Sequence, residues 1–162
     1  MIIFGVDPGT ARMGWGIVDI NGGNIHAVGY GCIATGKTES PPNRLLMLYT
    51  ALMDLLAKNT ADVISLEELF FATNAKTIIP VGESRGIVLL TAAQKKIPVV
   101  SYSPLAVKRA ITGDGTADKK QVQYMVTRLL HLEAIPKPDD TADALAIALA
   151  HAYSYKLKGV VK

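Results

Sequence analysis

One cysteine, one tryptophan and three histidines in 162 residues rule several kinds of chemistry out at once. Cys32 has no partner for an internal disulfide and no Cys or His neighbours in a metal-ligand spacing, so a reducing compartment is the simpler setting. His26, His131 and His151 are scattered, which leaves no imidazole cluster for zinc. Surface or packing roles suit His26 and His131. His151 lies two turns beyond Asp143 on one helical stretch and could approach a site there, although a satisfied helix histidine is the plainer reading. No uninterrupted apolar stretch approaches a membrane span, and the chain reaches Asp7 without the basic and apolar regions of a secretory signal. The expectation is a cytoplasmic protein with no membrane partner.

What is present suits one ordinary core. With 49% hydrophobic and 19% charged residues, the chain reads as a single domain over 1–162. The net charge of +3 is unevenly spread. Residues 95–128 carry seven Lys/Arg against two Asp/Glu, whereas residues 1–94 carry six against eight. Lys95, Lys96, Lys108, Arg109, Lys119, Lys120 and Arg128 would suit a polyanion; a solvated helical face explains the same charges equally well.

Short β-rich segments at Ile2 to Asp7, Trp15 to Ile20 and Ile25 to Cys32, parted by Pro8-Gly9 and Gly22-Gly23, predict an antiparallel meander. Leucines at helical spacing predict a helix over Arg44 to Lys58, and Asp62 to Leu66 a strand paired in parallel with an earlier one. Helical character over Asn74 to Lys96 is interrupted by Pro80 and Gly82, so its regular part is placed after Val81. A short strand at Pro98 to Tyr102 and helices at Pro104 to Ile111, Asp118 to Leu132 and Asp139 to Leu157 complete an α/β fold, a mixed five-stranded sheet flanked by helices.

Four carboxylates stand out. Asp7 and Glu67 each close an apolar strand, and Asp140 and Asp143 open the last helix one turn apart. Asp7-Pro8-Gly9-Thr10 alone could be only a turn, Glu67 and Glu68 only strand-end charges, and Asp139 and Asp140 only helix caps. Alternation puts Glu67, rather than Glu68, on the face of Val63 and Ser65. Asp143 resists the capping reading, since its surroundings are small and apolar. Four such acids together are unfavourable unless cations screen them. Two Mg²⁺ ions, or Mn²⁺ in their place, would resolve the conflict and supply phosphodiester hydrolysis.

The stretches Gly5-Val-Asp-Pro-Gly-Thr10 with Gly14-Trp-Gly16, Leu66-Glu-Glu-Leu-Phe70, Gly82-Glu-Ser-Arg-Gly86, Val107-Lys108, Gly115-Thr-Ala-Asp-Lys119 with Gln121-Val-Gln123, and Asp140-Thr-Ala-Asp-Ala-Leu-Ala146 together resemble the RuvC-type Holliday junction resolvases over nearly the whole chain. The resemblance implies an RNase H-like fold, a homodimer, divalent metal and paired incision of four-way DNA junctions during recombination and repair, with a branch-migration translocase as a candidate partner. It places the catalytic acids and metal ligands on Asp7, Glu67, Asp140 and Asp143, basic contacts on Lys108 and Lys119, and a base-stacking aromatic on Phe70. Lys120 and Arg85 are carried as further DNA contacts, with Phe71 and Lys120 duplicating their neighbours and Arg85 equally able to serve a structural ion pair. The apolar helix over Ile78 to Leu90 is expected at the dimer interface. Three rivals stand beside this reading: a nuclease of the same fold acting on RNA–DNA hybrids, a junction-binding module without catalysis, and an actin-like ATPase or sugar kinase, for which the chain is too short to supply two halves.

Overall fold

A computed structural model describes residues 1–68 and 75–160. Three strands come first, β1 (Ile2–Asp7), β2 (Arg12–Asn21) and β3 (Asn24–Ala34), followed by helix α1 (Pro41–Lys58). The chain then alternates through β4 (Val63–Glu67), α2 (Ala75–Lys95) and β5 (Val99–Tyr102), and ends in α3 (Pro104–Thr112), α4 (Lys119–Leu129) and α5 (Asp139–Val160). The sheet order is β3-β2-β1-β4-β5, with β1 antiparallel to β2 and parallel to β4. The meander, the parallel crossover and the five strands agree with the sequence reading. Pro80 does not: α2 is helical from Ala75 and contains it. Little more than one turn precedes Pro80, so its missing N–H removes a bond only near the helix start.

Strand alternation sorts the core into two layers. Phe4, Val6, Ile64 and Leu66 point to one face, where they pack with Leu48, Leu52 and Leu56 of α1 and Val88 and Ala92 of α2. Ile3 and Val63 point to the other, where they meet α5 and, beyond it, Val107 and Ile111 of α3 and Val122 and Val126 of α4. Each fully buried side chain of this size contributes roughly 1.5–3 kcal/mol. Gly5 pairs with Ser65 on this second face, and the Ser65 hydroxyl donates to the Ile147 carbonyl of α5 at 3.0 Å. Two residues further on, the same alternation brings Asp7 and Glu67 to that face at the strand ends.

Helix α5 is buried on nearly all sides, with Ala142, Ala144, Leu145, Ala146, Ile147, Ala148, Leu149 and Ala150 at 2% exposure or less. It reaches the sheet because glycine lies beneath it. A Cβ on Gly5 would run into the Ala144 carbonyl, and one on Gly14, which pairs with Asp7, would run into the backbone of Asp140. Gly14→Ala is therefore expected to push the first turn of α5 off the sheet. It should cost about 1–3 kcal/mol in urea unfolding, the usual range for overpacking. An unchanged unfolding midpoint would show that the close approach is dispensable.

Candidate active site

Asp7 and Glu67 meet α5 where its first turns present Asp140 and Asp143. Asp7, Glu67 and Asp143 line one cleft of about 320 Å³, with Lys108 from α3 and Lys119 from α4 on its walls and Val107, Val122, Ala146 and Ile147 among its apolar lining. Asp140 opens instead on a neighbouring depression of about 370 Å³, with Gly9, Thr10, Arg12, Pro80 and Val81. The four predicted acids are thus gathered, but as three and one, with Asp7 close enough to feel the charge of the other three.

The local sequence explains each basic position. Ser103 caps α3 by accepting from the Ala106 N–H, Pro104 follows at the first helical turn, and Lys108 falls one turn later. Asp118 and Gln121 form a reciprocal capping box that starts α4 with Lys119 at its first residue. The Lys119 ammonium donates to Asp139 at 2.6 Å and lies 2.9 Å from Asp143. Burial works against its charge, but these two carboxylates outweigh that and hold it protonated. Asp139, expected to be only a cap, instead pairs with Lys119 and lies 3.8 Å from Arg12.

Burial is also the main influence on the acids. It pushes Asp7 up to about 7, helped by the charges of Asp143, Glu67 and Asp140 and opposed by Lys119. Glu67 is raised by burial and then by Asp143, with Lys108 and Lys119 opposing. Asp143 is raised by burial against the pull of Lys119. Asp140 Oδ2 is buried and accepts no hydrogen bond, although Arg12 Nε stands 3.0 Å away as an ion pair.

These properties fit a hard divalent cation. The donors are all carboxylate oxygens, one of them lacks a hydrogen bond, and their mutual repulsion is the kind a cation relieves. Among the described residues no three acids already stand around one point as a ready cage. Asp140 and Asp143 are each held by a protein cation, so ligation would draw them away from Arg12 and Lys119.

The other predicted positions differ in standing. Arg85 donates to the Glu67 carbonyl at 2.6 Å and to the Ser101 hydroxyl at 2.8 Å. It braces the ends of β4 and β5 through these neutral acceptors and makes no ion pair among the described residues. Lys120 is exposed and makes no ion pair among the described residues. His151 shares a 2.8 Å hydrogen bond with the Tyr102 hydroxyl behind the site. Phe70 and Phe71 lie outside the described residues. Arg12 was missed; its sequence signal was a lone cation opening the strand that follows the Asp7 turn.

Carboxylates at the ends of adjacent parallel strands, met by acids on a helix across a β3-β2-β1-β4-β5 sheet, define an RNase H-like domain of the nuclease kind. The chain belongs to the family described as crossover junction endodeoxyribonuclease RuvC, whose model matches residues 3–151. It is 45% identical to the protein of that name from Syntrophomonas wolfei over 162 residues, all of this chain and 94% of that protein. It is 50% identical to the one from Desulfitobacterium hafniense over 157 residues, 97% and 95% of the two chains. The solved Thermus thermophilus RuvC matches with a TM-score of 0.90 and 32% identity over 98% of this chain and 97% of that one. The same protein in complex with Holliday junction substrate matches at 0.88 and 30%, over 97% and 96%.

The raised Asp7 gives a stability test. Its folded value, about 7, lies above its ordinary value of 3.8, so the folded state holds the proton more tightly. The stability this brings is full below about pH 4 and is lost as pH rises through 7. At about 1.4 kcal/mol per unit, the loss is roughly 4 kcal/mol at most. With EDTA present, Asp7→Asn should therefore gain stability relative to wild type between pH 5 and pH 8 in urea titrations. A difference independent of pH would mean that burial and the neighbouring acids do not raise Asp7 in this way.

Proposed function

We propose that this chain is an endodeoxyribonuclease that resolves four-way DNA junctions by metal-dependent hydrolysis of phosphodiesters, with Mg²⁺ as the ion and Mn²⁺ able to replace it. The observation that carries the reading is the single cleft in which Asp7, Glu67 and Asp143 face Lys108 and Lys119. Family membership supplies the substrate class. We treat residues 1–162 as one nuclease domain; none of its described helices is long and apolar enough to cross a membrane.

Asp7, Glu67, Asp140 and Asp143 would hold the divalent ions, with Asp7 near enough to feel the charge of all three other acids. Bound there, the ions supply Lewis acidity, lower the pKa of water and neutralise the phosphate. The side chains do the rest. Lys119, held protonated and within 2.9 Å of Asp143, would take a non-bridging phosphate oxygen once Asp143 turns to an ion. Lys108 offers a second cation to the same cleft. Val107, Val122, Ala146 and Ile147 limit water in the cleft, which strengthens each of these charge interactions. A pure binding module gains nothing from acids on its phosphate-contacting face, and the rival acting on RNA–DNA hybrids is separated by comparing cleavage of a junction with cleavage of a hybrid.

Paired incision requires two such sites. The outer face of α1 and α2 exposes Leu46 at 62%, Ile79 at 67% and Leu90 at 51%, with Met47 and Leu89 beside them, which supports pairing of two copies there. A branch-migration translocase is the further partner this role would take.

Asp7→Asn should lower junction cleavage in Mg²⁺ by several orders of magnitude, a loss of roughly 4 kcal/mol or more of transition-state stabilisation, while gel-shift affinity in Ca²⁺ holds or rises. Cutting near the wild-type rate would reject the acidic-cluster assignment. Leu90→Lys should yield a monomer by sedimentation at micromolar concentration and convert paired cuts on a junction into single nicks. A persistent dimer would move the interface elsewhere.

A further inference from the structure

Arg12 opens β2 and leaves about half of its side chain, 52%, in solvent. Its Nε stands 3.0 Å from Asp140 Oδ2, and its terminal nitrogen stands 3.8 Å from Asp139. The carboxylate oxygen it faces is buried and accepts no hydrogen bond. The pair is therefore held by charge without a directed bond, and a half-exposed pair of that kind is weak. A guanidinium keeps its charge at any ordinary pH, so it leaves a carboxylate only by swinging away. The depression it borders, lined by Gly9, Thr10, Ala11 and Val81, gives it room.

We propose that Arg12 is a displaceable counter-ion of Asp140: it occupies the oxygen that a divalent cation on the Asp140 side of the site would take, so the two compete. The inference rests on the metal reading above and goes beyond it. Asp7, Glu67 and Asp143 share a cleft that Arg12 does not line. An ion held there binds without this competitor, whereas one that needs Asp140 must first expel Arg12. The expelled side chain keeps its charge at the mouth of the site and becomes free for a phosphate only once the ion is in place. Arg12 is thus a positioning residue that makes the two ions unequal and ties the second one to DNA contact.

The test is Mn²⁺ titration calorimetry on the full chain after EDTA treatment and dialysis, without DNA. Arg12→Gln and Arg12→Ala should both bind the weaker Mn²⁺ about two- to five-fold more tightly than wild type, the worth of a half-exposed ion pair. Lys120→Gln, which removes an exposed positive charge next to Lys119 that pairs with no acid among the described residues, should change affinity far less. In an Asp140→Asn background the Arg12→Gln step should have no effect, because the competition has lost its object. Equal or weaker Mn²⁺ binding by both Arg12 variants would show that Arg12 merely props Asp140 in place and would overturn the proposal. So would equal tightening by Lys120→Gln, which would trace the effect to the general field. Wild-type protein that takes up no Mn²⁺ would overturn the metal reading and this inference together; normal wild-type uptake with unchanged variants overturns this inference alone.

Discussion

The spacing between α5 and the sheet is the constraint on which the rest depends. Asp7 and Glu67 belong to strands, Asp140 and Asp143 to the helix, and nothing joins the two sets except how close the helix lies. That closeness is set by residues that carry no chemistry. Gly5, Gly14 and Gly16 leave no side chain between strand and helix, and α5 answers with alanines at 142, 144, 146, 148, 150 and 152. A helix of small side chains on glycine-bearing strands brings backbone near backbone, so acids on short side chains can share a site. Larger residues at these positions would preserve the fold class and separate the carboxylates.

Such proximity is electrostatically unfavourable, and the structure offsets it locally. Lys119 is shared between Asp139 and Asp143, and Arg12 stands against Asp140. The pairs are half-exposed and individually weak. They leave the acids raised rather than settled, and this is the condition in which a doubly charged ion gains most by entering. The stability that pays for the strain comes from elsewhere, from the dry layer of Phe4, Val6, Ile64, Leu66, Leu48 and Leu52 on the far side of the sheet.

Much of this was legible because strand and helix periods are rigid rules. Alternation alone placed Glu67 on the face of Ser65, and one helical turn placed Asp143 beside Asp140. The meander and the strand–helix–strand crossover followed from turn residues and chirality. Pro80 misled because proline was read as a boundary, whereas the tertiary packing of α2 tolerates one lost bond near its start. Asp139 misled because a residue that suits a cap can be used by a cation from another helix, and the 20-residue separation to Lys119 has no sequence signature. Arg12 and Arg85 show the same limit in opposite directions. One unremarked arginine faces Asp140, while one expected either at DNA or in an ion pair donates to the Glu67 carbonyl and Ser101.

The basic bias of residues 95–128 gains meaning from topology. Lys108 and Lys119 reach the cleft because α3 and α4 cover α5 on the side away from the sheet, so their first turns stand at the same end as the acids. On the proposed function the sheet divides two tasks. Its α5 face gathers charge of both signs at the strand ends, suited to a phosphate that must be attracted by lysines and cut among carboxylates. Its α1 and α2 face carries the exposed Leu46, Ile79 and Leu90, suited to a second copy. On the proposed reading this separation allows two cutting sites to be joined back to back through apolar surface without either cleft being covered. A junction with two strands to cut then meets two charged faces held by a largely apolar seam.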